Sequence, residues 1–270
     1  MAKSQVKFWR IPALDQLEVL RGQGICHSFG RHLHGEFGLG VVEQGQLAYQ
    51  TRTAETVLLP GEIVVINPGQ VHWGGAVEAR CYSYRIIYPS AALMARAMGD
   101  ETGISQAEGA GFPYFLNGKV CDRNLAARLL HLTTVLEHDP MTLVQESYLV
   151  AVLSDLMTRH GTLTHRFSHS PSVQRVRDYI QAFYAQNLSL SELAALVEMK
   201  PLRLLRSFRK EIGLPPHAYL LQVRIEQAKR QLLAGDAIAT VALDTGFADQ
   251  SHFTRHFKRS VGVTPGQYGR

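Results

Sequence analysis

Four side chains in the first third of the sequence have the types and spacing to hold a small ligand or a metal ion. His32, His34 and Glu36 stand two residues apart, and His72 follows the turn Asn67-Pro68-Gly69. Residues two apart on a β-strand share a face, so His32, His34 and Glu36 are expected to project together, with His72 approaching from across a small barrel. Imidazole ligates zinc, iron or nickel, and it equally exchanges hydrogen bonds with an organic ligand. Trp73, Tyr49 and Tyr84 are large enough to wall a pocket and as well suited to an ordinary barrel core. Near the other end, two stretches carry cations and polar groups beside an apolar stripe. In the first, Leu204, Leu205 and Phe208 are apolar anchors, and Arg203, Arg206, Arg209 and Lys210 lie outside or beside them. In the second, Phe253 and Phe257 leave Gln250, Ser251, Thr254, Arg255 and Lys258 to project. Such side chains pair with phosphates and base edges. A solvated basic face on a plain helical bundle has the same composition.

These groups must be positioned by two kinds of structure. From about residue 8 to 88, short alternating stretches end at turn residues: Phe37, Leu39 and Val41 before Gln44-Gly45, then Leu47 and Tyr49, Thr56 to Leu59, Ile63 to Ile66, and Cys81 to Tyr88. Several short strands at that spacing predict a sandwich or barrel. A short helix is expected at Ala91 to Met98. From about 122 to 160 the period changes to that of two amphipathic helices, with Leu125, Leu129, Leu132 and Leu136 on one and Leu149, Val152, Leu153 and Leu156 on the next, broken at Asp139-Pro140. Gly161 to Ser172 reads as a linker. The remainder is helical: Val173, Val176, Ile180 and Phe183 on one helix, a capping box at Ser189 and Glu192, Pro201 opening a helix that stops at Gly213, and a longer helix from Pro216 to about Ala234. A turn at Thr245-Gly246 then precedes a helix from Asp249 to Val261. Short helix, tight turn and longer basic helix thus occur twice, as a helix-turn-helix requires. The connecting helix is about 28 Å long at about 1.5 Å per residue, against about 34 Å between successive major grooves on one face of B-DNA.

Bulk properties agree with two globular domains. The 270 residues are 46% hydrophobic and 19% charged, with no low-complexity tract, which predicts a fully folded chain long enough for two cores. No cleavable leader or membrane-spanning run is read. Cys26, Cys81 and Cys121 form no CxxC pair, so neither a disulfide scaffold nor a zinc finger is expected, and a cytoplasmic compartment fits. Residues 1 to 171 hold 14 Lys/Arg against 15 Asp/Glu, and residues 172 to 270 hold 14 against 8. All the excess positive charge therefore sits at the C-terminal end, as a domain that meets a polyanion would have it.

The stretch from Leu188 to Tyr268 resembles the DNA-binding domain of the AraC/XylS family, above all in Gly246-Phe247-Ala248-Asp249-Gln250-Ser251-His252-Phe253-Thr254-Arg255-His256-Phe257-Lys258 and Gly262-Val263-Thr264-Pro265-Gly266-Gln267-Tyr268. The segments His32 to Phe37, Gly40 to Gly45 and Ile66 to His72 resemble the cupin-like effector domain that precedes it in many members. The resemblance implies an α+β multidomain protein. Residues 1–165 would form a cupin-like β-barrel with two dimerisation helices, 166–171 a linker, and 172–270 an all-α domain with two helix-turn-helix motifs. It further implies a transcription regulator, usually an activator, whose partners are a double-stranded DNA operator, a small-molecule effector, RNA polymerase and a second copy of the chain. DNA contacts fall on Leu202, Arg203 and Arg206 and on Gln250, Ser251, Thr254 and Arg255, with Arg209 and Lys258 as phosphate contacts. Effector contacts fall on His32, His34, Glu36, His72 and Trp73. Metal cupins place their Glu several residues beyond the His-x-His pair, where this chain has apolar or Gly residues; neither a metal, a cofactor nor a catalytic residue is therefore assigned. Two departures stand out: Lys200-Pro201 replaces the usual hydroxyl cap, and Leu202 is apolar at a groove-facing position, which suits a thymine methyl or DNA shape. The stripes between 122 and 160 would serve a dimer seam or pack on the barrel alone.

Overall fold

A computed structural model describes residues 4–99, 112–164 and 169–269. The chain divides into two compact units, Met1–Ser28 with His34–Arg166 and Phe29–Leu33 with Phe167–Arg270. In the first part of the chain the strands are β1 (Gln5–Ile11), β2 (Leu17–Ile25), β3 (Phe29–His32), β4 (Gly38–Gln44), β5 (Leu47–Thr51), β6 (Glu55–Leu58), β7 (Ile63–Ile66), β8 (His72–Ala76), β9 (Tyr82–Tyr88), β10 (Phe112–Tyr114), β11 (Lys119–Val120) and β12 (Thr162–Thr164). Its helices are α1 (Ala91–Ala97), α2 (Arg123–His138) and α3 (Thr142–His160). One sheet runs β1-β2-β9-β4-β7-β11, and β8, β5 and β6 lie side by side in a second.

Strand alternation sorts the large sheet into two faces. Val19, Leu39, Val41, Ile63, Val65 and Ile87 join one buried cluster with Leu125, Leu129, Leu132, Leu136, Leu149, Val152, Leu153 and Leu156, so the apolar stripes of α2 and α3 are consumed by packing on the sheet. Arg85 marks the same face: it pairs with Glu43 at 3.0 Å and donates to the Thr133 and Thr134 hydroxyls at 3.3 and 3.0 Å. Asp122 ties the start of α2 to the end of α3. Its Oδ1 accepts from the Leu125 N–H at 3.0 Å while Oδ2 meets Arg159 at 2.6 Å and His160 at 3.0 Å. The His160 hydrogen bond, then the Leu125 amide and Arg159, hold this carboxyl below the usual aspartate range.

Three expectations change. Residues 33–37 are irregular, so His34 and Glu36 do not share a strand face with His32, which ends β3. Thr162–Thr164 pairs with β10 and is strand, not linker; residues 166–168 of the expected linker lie outside the described residues. Cys26 and Cys81 are joined by a disulfide, which CxxC spacing could not reveal because the pair is formed across strands 55 residues apart. Among the described residues, no helix is long and apolar enough to cross a membrane.

The rest of the chain is helical: α4 (Pro171–Ala182), α5 (Leu190–Ala195), α6 (Pro201–Ile212), α7 (Pro216–Leu233), α8 (Ile238–Asp244), α9 (Gln250–Val261) and α10 (Pro265–Tyr268). Val173, Val176 and Ile180 of α4 pack with Leu193, Leu204, Phe208, Tyr219 and Val223. Phe183, expected on the same stripe, follows the last turn of α4 and is 39% exposed. Arg224, on α7, is only 9% exposed. Its Nε donates to the Tyr184 carbonyl at 2.8 Å, Nη2 to Gln186 at 2.9 Å and Nη1 to Gly246 at 2.6 Å. Two of those carbonyls belong to the turn between α4 and α5, and the third to the turn between α8 and α9. Gly246 has φ +81°, and a Cβ there would come within 2.6 Å of the Ala185 carbonyl and 2.8 Å of the Arg224 guanidinium.

Replacing Arg224 by Met is expected to leave three carbonyls without their charged donor and to destabilise the helical unit by roughly 2 to 4 kcal/mol. Both tryptophans, Trp9 and Trp73, fall in the first unit. The check is a loss of helical ellipticity at lower denaturant in Arg224→Met while the tryptophan fluorescence transition keeps its midpoint.

Candidate functional site

Helices α6 and α9 repeat one another in fixed register. Phe208 and Phe257 are buried at equivalent positions, as are Leu204 and Phe253, and both helices end at glycines in the left-handed conformation, Gly213 and Gly262. The same register pairs Leu202 with Ser251, Arg206 with Arg255 and Arg209 with Lys258. All six are exposed, and spacings of four and three put each trio on one face opposite the core aromatics. Arg203 and Gln250 are also exposed, and Thr254 is half-buried. Leu202 is 66% exposed, an apolar group with no core to fill. Every residue expected to meet DNA is therefore directed away from the core of its helix or stands at the edge of that face.

The helix starts differ. Asp249 caps α9, its Oδ1 accepting from the His252 N–H at 2.7 Å, and that amide holds the carboxyl below the usual range. The equivalent Lys200 gives α6 no side-chain cap, and Pro201 follows at the first helical position. Two features of α9 escaped the sequence reading. His252 and His256 meet edge to face with ring centroids 4.7 Å apart, beside Phe247. Burial, then the neighbouring His252, Arg259 and Arg255, pulls the His256 pKa down, so this imidazole is held towards its neutral form. An i, i+4 histidine pair was the available signal.

In the sheet-rich unit, the face of the large sheet turned away from α2 and α3 carries Tyr82, Tyr84, Ile86 and Tyr88 on β9. Gly22, Gly38 and Gly40 share that face; Cβ atoms there would meet Tyr84 at 2.6 Å, Ile66 at 2.9 Å and Ile86 at 3.1 Å respectively. His34 and His72 are brought together at 5.0 Å between ring centroids, and Tyr88 lies 5.3 Å from His34. Both histidines are buried and oriented by backbone: His34 Nδ1 is 2.7 Å from the Glu36 carbonyl, and His72 Nδ1 is 2.9 Å from that of Gln70. Tyr49 completes the group, 6.2 Å from His72 and donating to the Val65 carbonyl at 3.4 Å. Burial pushes the Tyr49 and Tyr84 hydroxyls up, so both remain protonated donors at neutral pH.

His32 Nδ1 sits 2.7 Å from the Gly30 carbonyl in the segment grouped with the helical unit. Trp73 follows His72 on β8 and so faces the opposite side of that sheet. Glu36 approaches His34 through its backbone carbonyl. Among the described residues, no three His, Cys, Asp or Glu side chains are close enough together to hold a metal ion.

A sheet-rich unit followed by two in-register helix-turn-helix units defines a regulator of transcription. Residues 16–153 match the model of the AraC-like ligand binding domain, and residues 193–270 match that of a helix-turn-helix domain. The chain is 32% identical to the HTH-type transcriptional regulator YbfI of Bacillus subtilis (strain 168), over 87% of this chain and 85% of YbfI. It is 34% identical to the HTH-type transcriptional regulator SACOL0084 of Staphylococcus aureus (strain COL) over 54% of this chain, and spans only 20% of that protein. Among solved structures it shares the fold of ToxT from Vibrio cholerae strain SCE256 with an unsaturated fatty acid bound, at TM-score 0.57 and 12% identity, covering 100% of this chain and 97% of ToxT. The chain belongs to the AraC/XylS family of transcription regulators.

Proposed function

We propose that this regulator is a cytoplasmic, homodimeric activator in which a small-molecule effector, held against His34 and His72, controls how two reading helices engage an operator and RNA polymerase. The observation that carries the reading is the register shared by α6 and α9, which presents Arg206 and Arg255 identically. The connecting helix α7 has 18 residues, about 27 Å, close to the spacing of successive major grooves. Arg206 and Arg255 then read base edges, with Leu202, Arg203, Gln250, Ser251 and Thr254 around them. Arg209 and Lys258 hold phosphates.

Arg206→Ala and Arg255→Ala are each expected to cost about 1 to 3 kcal/mol on operator DNA and to relax preference at one position of their own half-site. Arg209→Ala and Lys258→Ala are expected to weaken binding to all sequences alike and to lower the salt slope by about one unit. Titration of operator and scrambled duplexes at two salt concentrations checks both. Unchanged operator affinity in both arginine variants would overturn the two-reader assignment.

The effector half rests on the paired imidazoles, Tyr88 and Tyr49 at the polar end of an otherwise apolar face. Such a chamber fits a ligand with an apolar body and one hydrogen-bonding end, and ToxT carries a fatty acid within the same fold. A specific ligand at 100 times its Kd adds about 2.7 kcal/mol to stability. Thermal unfolding against a metabolite panel should therefore reveal a stabilising compound, and His34→Ala and His72→Ala should each abolish most of its effect. A full response in both variants would place the effector elsewhere.

Since Leu129 and Leu153 are spent on the intrachain core, a dimer seam needs other residues. Leu143 and Tyr148 of α3 are 70% and 42% exposed and support one. Leu143→Asp is expected to shift the full chain from dimer towards monomer in sedimentation. A monomeric wild type at tens of micromolar, a concentration of generous order for a specific interface, would refute the dimer.

A further inference from the structure

The bond between Cys26 and Cys81 lies at one end of the β2–β9 ladder. Ile25 pairs with Tyr82, but the register slips between Gly22 and Ile25, where a bulge interrupts the ladder. Gly24, at φ +59°, sits in the bulge and its N–H donates to the Ser83 hydroxyl at 3.1 Å. One residue past the Ile25–Tyr82 rung, the two cysteines meet with Cα atoms 4.2 Å apart, and both are exposed to solvent. Each sulfur has a basic neighbour in sequence, His27 after Cys26 and Arg80 before Cys81, and Arg80 is held only loosely by Glu78 at 3.9 Å. Exposure leaves both sulfurs open to small oxidants and reductants. The third cysteine, Cys121, is exposed as well, but desolvation of its thiol and then the Glu62 carboxylate, 3.4 Å away, push its pKa up and favour the protonated form.

Proteins of the cytoplasm keep their thiols reduced, and disulfides found there are as a rule transient, serving catalysis or sensing; exposed bonds are the readily reduced ones. We infer that Cys26 and Cys81 are a reversible modification site that takes a hydroperoxide as oxidant, so that the ligand-binding unit also responds to redox state. One thiolate attacks the peroxide, breaking the O–O bond and releasing water or an alcohol. The second thiol then attacks the sulfenic sulfur, forming the S–S bond as the S–O bond breaks and the hydroxyl leaves as water. Two thiols thereby lose two electrons and two protons to the peroxide, and a dithiol or reduced glutathione returns both. The bond closes the ladder beyond the bulge and fixes Tyr82, whose ring stacks on Tyr84 at 5.5 Å on the inner face. The oxidised chamber is thus the stiffer one.

The inference rests on the proposed cytoplasmic setting for its reversibility, and its test is independent of operator and effector. The full chain, reduced with dithiothreitol and then desalted, should have all 3 cysteines open to alkylation. Hydrogen peroxide should remove two of them and leave Cys121, with a Cys26–Cys81 crosslinked peptide in the digest, and millimolar reduced glutathione should restore all of them. The tryptophan fluorescence melt should rise by several degrees on oxidation. In Cys81→Ser neither the crosslink nor the shift should form. Thiols that stay alkylatable after peroxide, a bond that survives millimolar reduced glutathione, or a melt identical in the two states would each overturn the proposal.

Discussion

Three backbone carbonyls from two separate turns converge on one guanidinium, and the geometry of the helical unit depends on that convergence. Arg224 is planar and rigid, so its three donors fix the Tyr184, Gln186 and Gly246 carbonyls relative to one another as well as to α7. The turn before α5 opens the first helix-turn-helix unit, and the turn holding Gly246 leads into the second reading helix. A single side chain in the middle of the connecting helix therefore ties the entry of the first unit to the turn of the second. Lysine, a point charge on a flexible stem, has no fork with which to hold three fixed acceptors. Burial makes the charge costlier and pulls its pKa down, and the carbonyls are what offset that cost.

With the scaffold fixed, the two readers need not be alike in chemistry. They share buried anchors, exposed cations and a glycine stop, which are the parts that packing and helix termination demand. They differ at the start of the helix and at the second helical position, where Leu202 of α6 corresponds to Ser251 of α9. The second reader has a capped first turn and a hydroxyl-bearing face, and the first has an uncapped turn and an apolar tip. Fold constraints act on the inner half of each helix, which leaves the outer half open to divergence.

The sheet-rich unit solves a related problem, since one sheet must serve two cores. Alternation sends Leu39, Val41 and Ile87 to α2 and α3, and sends the glycines and tyrosines to the other side. Glycine at 22, 38 and 40 makes room for the Tyr84, Ile66 and Ile86 side chains that line that face. The paired histidines stand at its polar end, each held by a neighbouring carbonyl, so their orientation is set before any ligand arrives. The disulfide acts on the same wall from its rim.

Much of this was decided by local sequence. Hydrophobic periods of two and 3.6 located most strands and helices because each element buries one face, and a buried face forces a repeat. The reading helices were legible for the same reason: Phe253 and Phe257 define the inside of α9, and whatever stands off that stripe must face outward. Contacts between distant segments carry no such repeat. His34 and His72 are brought together by loop geometry at 33–37 and strand pairing at β8, while Trp73, equally plausible by spacing, is turned to the other side of its sheet. Whether the stripes of α2 and α3 met the sheet or a second chain depended on what lay opposite them. Cys26 and Cys81 are neighbours only because β2 and β9 pair past a bulge. Arg224 sits among Leu221, Ile225 and Ala228 as an unremarkable cation, and its partners are main-chain atoms, which every residue has and no sequence pattern marks. Periodicity is written residue by residue, whereas the meeting of backbone carbonyls, facing rings and cross-strand sulfurs exists only once the chain has folded.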